Sequence, residues 1–124
     1  MILVDTSVWV SHLRVGNANL FKLLNQGEAV CHSFIVGELA CGNLANRSEI
    51  LSLVQTLPMA IEAEHDEVLH FIDHNRLMGR GLGLIDVHLI ASAQLSSIPI
   101  WTLDKKLEKV CAELGIGVNK KLTR

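Results

Sequence analysis

Tyrosine is missing from this chain, and aromatic residues make up only 4% of it. Binding that relies on bases stacked over a broad aromatic platform is therefore not expected as its main mode. No apolar run approaches the ~20 residues needed to cross a bilayer, so no membrane span is expected. The start lacks the basic region and longer apolar stretch of a secretory signal. Cysteine is sparse and odd in number (Cys31, Cys41 and Cys111), with no CxxC pairing. Neither a disulfide framework nor a thiolate zinc site follows from that spacing. The three are expected as small buried apolar residues of a cytoplasmic protein.

What is present fits one packed unit. The 124 residues are 49% hydrophobic with a mean hydropathy of +0.34. That balance suits a sheet covered on both faces by helices. A single domain spanning residues 1–124 is predicted. The net charge of −2 speaks at first against a nucleic-acid partner. Setting aside four acids gathered around divalent cations would leave eleven basic against nine acidic residues, so bulk charge decides nothing.

Along the chain, strand and helix signals alternate. Ile2-Leu-Val4 reads as a buried strand, with Asp5 where the chain leaves the sheet. A helix starts on Thr6 or Ser7 and is broken at Gly16-Asn17; a second over Asn19 to Asn25 ends at Gln26-Gly27. Glu28 to Cys31 is the second strand. Ser33 is expected to cap a nearly all-apolar helix from Phe34 to Gly42. Helices follow over Asn46 to Leu57 and over Glu64 to Met78, the latter turning Val68, Leu69, Phe71, Ile72 and Leu77 inward. After a glycine-rich break at 79–83, Asp86 to Ser96 is helical, Pro99 to Leu103 is a strand and Lys105 to Leu114 a helix. Gly115 stops that helix, a short strand is expected at 116–118, and Lys120–Arg124 reads as a solvated basic end. With no hairpin signal between apolar runs, the alternation predicts an α/β fold: a three-layer α/β/α sandwich around a central parallel sheet.

Four acids stand out. Asp5 and Asp104 each follow an apolar strand, the position where open parallel sheets gather ligands. Glu38 sits in a nearly all-apolar helix with no nearby basic residue until Arg47, so burial there demands compensation. Asp86 stands at a helix start. Each has a plain alternative, since Asp5, Asp86 and Asp104 could serve only as helix caps and Glu38 could lie on a narrow exposed stripe. Converging carboxylates repel one another unless a cation lies among them, and an all-oxygen donor set favours Mg²⁺ or Mn²⁺ over zinc. His70 and His74 share a helical face but lack the context of a zinc motif, and are expected as exposed residues. Trp9 and Trp101 are expected in the core or in a dimer contact.

Taken together, Ile-Leu-Val-Asp5-Thr-Ser, Ile-Val-Gly-Glu38-Leu, Asp86-Val-His-Leu-Ile-Ala and Thr102-Leu-Asp104 resemble the four acidic motifs of the PIN-domain ribonucleases. In length, order and spacing the chain is similar to the VapC-type toxins of type II toxin–antitoxin pairs, from Met1 to about Leu114. The resemblance implies a Mg²⁺- or Mn²⁺-dependent endoribonuclease in which an acidic quartet, Asp5, Glu38, Asp86 and Asp104, serves a metal-activated water attacking RNA. Asp5, Asp86 and Asp104 would be the metal ligands, while Glu38 binds through water or orients the attacking water. Thr6, Ser7 and Thr102 would fix the carboxylates. Arg76, Arg80, Lys105 and Lys106, close in sequence to Asp86 or Asp104, are candidates for binding the RNA backbone. A cognate antitoxin protein and a homodimer are implied in the same way. Two other readings are carried: a non-catalytic RNA-binding or scaffolding domain, and a receiver-like phosphotransfer protein. The second is disfavoured because no further acid follows Asp5 two residues on.

Overall fold

Three short parallel strands, in the order β2-β1-β3, form the centre of the computed structural model, which describes residues 1–118. The basic stretch Lys120–Arg124 lies outside the described residues. β1 (Ile2–Val4) is wholly buried, as a three-residue apolar run between two neighbours requires. Its Ile2 and Leu3 register with Ala29 and Val30 of β2 (Ala29–Val30), and its Leu3 and Val4 with Ile100 and Trp101 of β3 (Ile100–Trp101). Isolated parallel bridges, Cys31 to Met59 and Ile100 to Gly117, widen the sheet on both edges. The second takes up part of the strand expected at 116–118.

Helices cover both faces of this sheet in the three-layer α/β/α arrangement. They are α1 (Thr6–Val15), α2 (Ala18–Asn25), α3 (Ser33–Cys41), α4 (Arg47–Gln55), α5 (His65–Asn75), α6 (Leu84–Ser96) and α7 (Lys105–Glu113). Their ends follow local chemistry. Gly16, at φ 78°, stops α1 in a conformation that glycine adopts freely. Asn17 then accepts from the Leu20 N–H to open α2. Gly115, at φ 73°, lies just past α7. The core joins the three strands to Val8, Trp9, Leu20, Ile35, Leu39, Leu89, Ile90 and Leu107. Trp9 and Trp101, only 2% and 4% exposed, both belong to it. The Trp9 indole N–H is the buried side-chain donor among the described residues that finds no partner.

Several boundaries differ from the sequence reading. The α3 cap is His32, not Ser33: its Nδ1 accepts from the Phe34 N–H at 3.0 Å, and Ser33 becomes the first helical residue. An imidazole acceptor can cap as a carboxamide does, a possibility that residue preferences rank low. α6 begins two residues before Asp86, so Asp86 lies in the first turn and is not the cap residue. α5 ends at Asn75, closed by Arg76 in the left-handed region (φ 52°). Leu69, expected inward, is 47% exposed. It lies ~100° around the helix from the buried Val68. Cys31 and Cys111 are buried as expected, the latter with its thiol pushed up to about 12 chiefly by burial, but Cys41 is exposed.

His32 ties two layers together. With Nδ1 accepting from a backbone N–H, the ring proton sits on Nε2 and donates to the buried Ser92 hydroxyl of α6 at 3.0 Å. Protonating Nδ1 would break the cap, and burial accordingly pushes the His32 pKa below its ordinary value, a nearby Glu62 only partly opposing this. The unfolded chain then takes up this proton first on acidification, so stability is complete above about pH 6.5 and is lost as pH falls below it. Urea unfolding at about pH 7.5 and about pH 5.5 should show wild type losing more stability on acidification than His32→Asn, which keeps a capping acceptor but cannot titrate. An equal loss in both proteins would contradict this account.

Candidate active site

The carboxyl ends of β1 and β3 lie side by side because the Asp5 backbone N–H donates to the Trp101 carbonyl at 2.9 Å. Asp5 leaves β1 and caps α1; Asp104 leaves β3 and caps α7, its Oδ1 accepting from the Leu107 N–H at 3.0 Å. Capping and site-building thus use the same residues, because a strand that runs straight into a helix places its cap at the sheet's edge.

Asp5 is 6% exposed and held hard. Its Oδ2 accepts from the Ser7 hydroxyl at 2.7 Å, the Thr102 hydroxyl at 2.8 Å and, more weakly, the Ser7 N–H at 3.4 Å. The two hydroxyl oxygens approach each other to 3.2 Å. Each hydroxyl has one proton, and both protons are spent on Asp5, so that approach adds little. As acceptors the same hydroxyls take the N–H groups of Leu103, on Ser7, and Asp104, on Thr102. Five residues from two strand ends and two helix starts are thereby locked in one network.

Glu38 projects from α3 to meet this network. Its Oε1 accepts from the Thr6 hydroxyl at 2.8 Å. Burial pushes its pKa up; the Thr6 bond pulls the other way, and Asp5 and Asp86 add to the rise. Asp86, also half-buried, accepts from the Gly83 N–H at 3.1 Å through Oδ2. Its pKa is raised by burial first and further by Asp5 and Asp104, against the Gly83 bond. Glu38 thus feels Asp5 and Asp86, and Asp86 feels Asp5 and Asp104. In each of the four acids, one carboxylate oxygen is held by a protein donor and the other has no partner among the described residues. The ion pairs among the described residues, Met1 with Glu28 and Arg80 with Glu113, involve none of the four.

That donor set, carboxylate oxygens only and uncompensated, fits a hard divalent cation. Among the described residues no three His, Cys, Asp or Glu side chains are drawn together tightly enough to hold an ion as they stand.

The basic candidates divide. Arg80 is engaged at 2.8 Å by Glu113 of α7, which anchors the 79–83 loop and leaves the guanidinium committed elsewhere. Lys106 lies across Gly81, at φ 78°, where an added Cβ would come within 3.1 Å of its Nζ; the glycine makes room for the lysine. Lys105 is exposed at the first position of α7, and Arg76 closes α5 without contact to the acids. His70 and His74 are exposed, their rings nearly parallel and 6.1 Å apart.

Sequence reasoning missed a groove of about 910 Å³ that opens beside Glu38 between α3, α6 and the segment before α5. Its ring-bearing residues, Phe34, His65 and His88, are far apart in sequence, so no local pattern marks them.

Comparison with known proteins identifies the family. A family model described as the PIN domain matches residues 2–113. Ribonuclease VapC32 from two strains of Mycobacterium tuberculosis is 43% identical over 124 residues, covering 99% of this chain and 100% of the relative. The crystal structure of PAE2754 from Pyrobaculum aerophilum superposes with a TM-score of 0.61 at 20% identity, covering 92% of this chain and 88% of that one. The last likeness speaks for the fold alone; with the family match and the full-length relatives, it follows that the chain belongs to the PIN-domain family, in its VapC branch.

Proposed function

We propose that this protein is a divalent-metal-dependent endoribonuclease acting as the toxin of a toxin–antitoxin pair. The observation that carries this reading is the quartet Asp5, Glu38, Asp86 and Asp104, each with one oxygen fixed by the protein and one left free. Full-length likeness to a protein named a ribonuclease supports the reaction class.

Asp5, Asp86 and Asp104 would be the residues that hold Mg²⁺ or Mn²⁺, each having a carboxylate oxygen without a protein partner. When bound, such a cation supplies a water of lowered pKa and neutralises charge on the phosphate under attack. Thr102 and Ser7 keep the Asp5 carboxylate aimed by filling its other oxygen, and Gly83 does the same for Asp86. Glu38, aimed by Thr6, orients the attacking water and receives its proton at Oε2; a carboxylate whose pKa is raised is better suited to that task. Lys105 and Lys106, on the first turn of the helix that Asp104 caps, bind flanking phosphates of the RNA. A homodimer and a small antitoxin that covers the acidic site complete the system.

RNA cleavage should require Mg²⁺ or Mn²⁺, stop with a chelator and vanish in Asp5→Asn. Calorimetric titration with Mn²⁺ alone should show binding to wild type and loss of it in that variant. Full cleavage by Asp5→Asn would overturn the proposal. Thr102→Val, which leaves the acids in place but frees Asp5 to turn, should cost about 10- to 100-fold in Mn²⁺ affinity and activity. Without metal the acids strain against one another, so Asp86→Asn should raise Tm by about a few degrees while abolishing cleavage. A lower metal-free Tm in Asp86→Asn would show that the repulsion is not a cost to the fold.

A further inference from the structure

The five aromatic residues of this chain are few, yet one of them, Phe34, meets two imidazoles, His32 and His88, and a third, His65, adjoins His88. Rings run in series from the core to the surface: His32 to Phe34 at 5.2 Å between centroids, Phe34 to His88 at 4.8 Å, His88 to His65 at 6.5 Å. The last three line the groove beside Glu38. Phe34 is 38% exposed and His65 is exposed, so an apolar ring face and an imidazole are offered to solvent.

We infer that this groove is a subsite for one unpaired nucleobase of the RNA, next to the phosphate that is cut. The inference rests on the nuclease reading above. Three features choose this occupant. The groove is continuous with the acidic site, since Glu38 belongs to both, so a chain positioned there for cleavage must pass its mouth. His65 and His88 are within 26° of parallel with centroids 6.5 Å apart. His88 is only 6% exposed, so the ring faces open to a base are those of His65 and Phe34. Imidazole and phenyl faces are the surfaces on which unstacked RNA bases lie. Finally, the groove's charged lining is acidic: Glu62 and Glu64 join Glu38, and no Lys or Arg takes part. Such a lining repels phosphate and accepts hydrogen bonds from exocyclic amino groups, which adenine, guanine and cytosine carry and uracil lacks. The phosphate is therefore kept out of the groove, left to a cation that the quartet would hold, while the base enters. Bases bearing an exocyclic amino group are preferred over uracil.

Imidazole resonances of the metal-free full-length protein, followed by NMR, should shift with adenosine, guanosine and cytidine monophosphates, less with uridine monophosphate, and not with ribose phosphate. Sequencing the ends cut from a randomised RNA pool should show a base preference at one position beside the cut. His65→Ala should flatten that preference and raise KM about tenfold, the scale of one lost stacking contact. His65→Phe, which restores a ring, should recover both. Equal shifts with ribose phosphate, or an unchanged preference and KM in His65→Ala, would overturn the inference. So would a His65→Ala protein that cuts as wild type but no longer binds its inhibitory protein partner, since the groove would then be a peptide site. If wild type cuts no RNA with any cation, the nuclease reading fails, and the nucleotide-dependent NMR shifts still decide for or against a base in the groove.

Discussion

Asp5 Oδ2, with the Ser7 and Thr102 hydroxyls upon it, is the point from which the rest of the acidic end is laid out. Those two hydroxyls belong to different ends of the chain, and their acceptor sides hold the backbone of Leu103 and Asp104. Charge-assisted bonds to a buried carboxylate are among the stronger polar contacts in a protein, about 1.5–3 kcal/mol each, and stranding one partner costs comparably. The exit of β1, the start of α1, the exit of β3 and the start of α7 cannot shift independently while this network stands.

The same network explains how a protein holds four acids near one another. Each carboxylate is steadied through one oxygen by a neutral donor that leaves its charge intact: a hydroxyl for Asp5 and Glu38, a backbone N–H for Asp86 and Asp104. A lysine or arginine in those places would neutralise the charge and remove the attraction for a cation. Among the described residues none of the four acids is ion-paired, and Arg80 pairs instead with Glu113.

Much of this was legible in the sequence because strand-to-helix junctions write themselves locally. Apolar runs ending in Asp5 and Asp104 disclosed both the sheet and its edge, and Glu38 was conspicuous for having only apolar neighbours. Distances through space were not legible. Capping by His32 depends on a partner, Ser92, 60 residues away, and so lost to the serine beside it. Closeness in sequence to Asp86 makes Arg80 a candidate, and its ion pair with Glu113, 33 residues on, could not be read there. Leu69 and Cys41 face solvent because helical phase, and not hydrophobicity, decides which side of a helix is covered. The groove of Phe34, His65 and His88 draws on three elements, and no window of sequence contains it.

The pairing of Val4 with Trp101 has a consequence for the timing of synthesis. The first strand made is completed by almost the last, a separation that makes assembly late and cooperative. Asp5 and Glu38 are synthesised long before the partner strand and its acid. Until that strand has emerged, the Asp5 carboxylate lacks its Thr102 clamp and the quartet lacks its fourth member. An unfinished copy therefore has an incomplete acidic end, and the β1–β3 pair can close only once the segment through Thr102 is available.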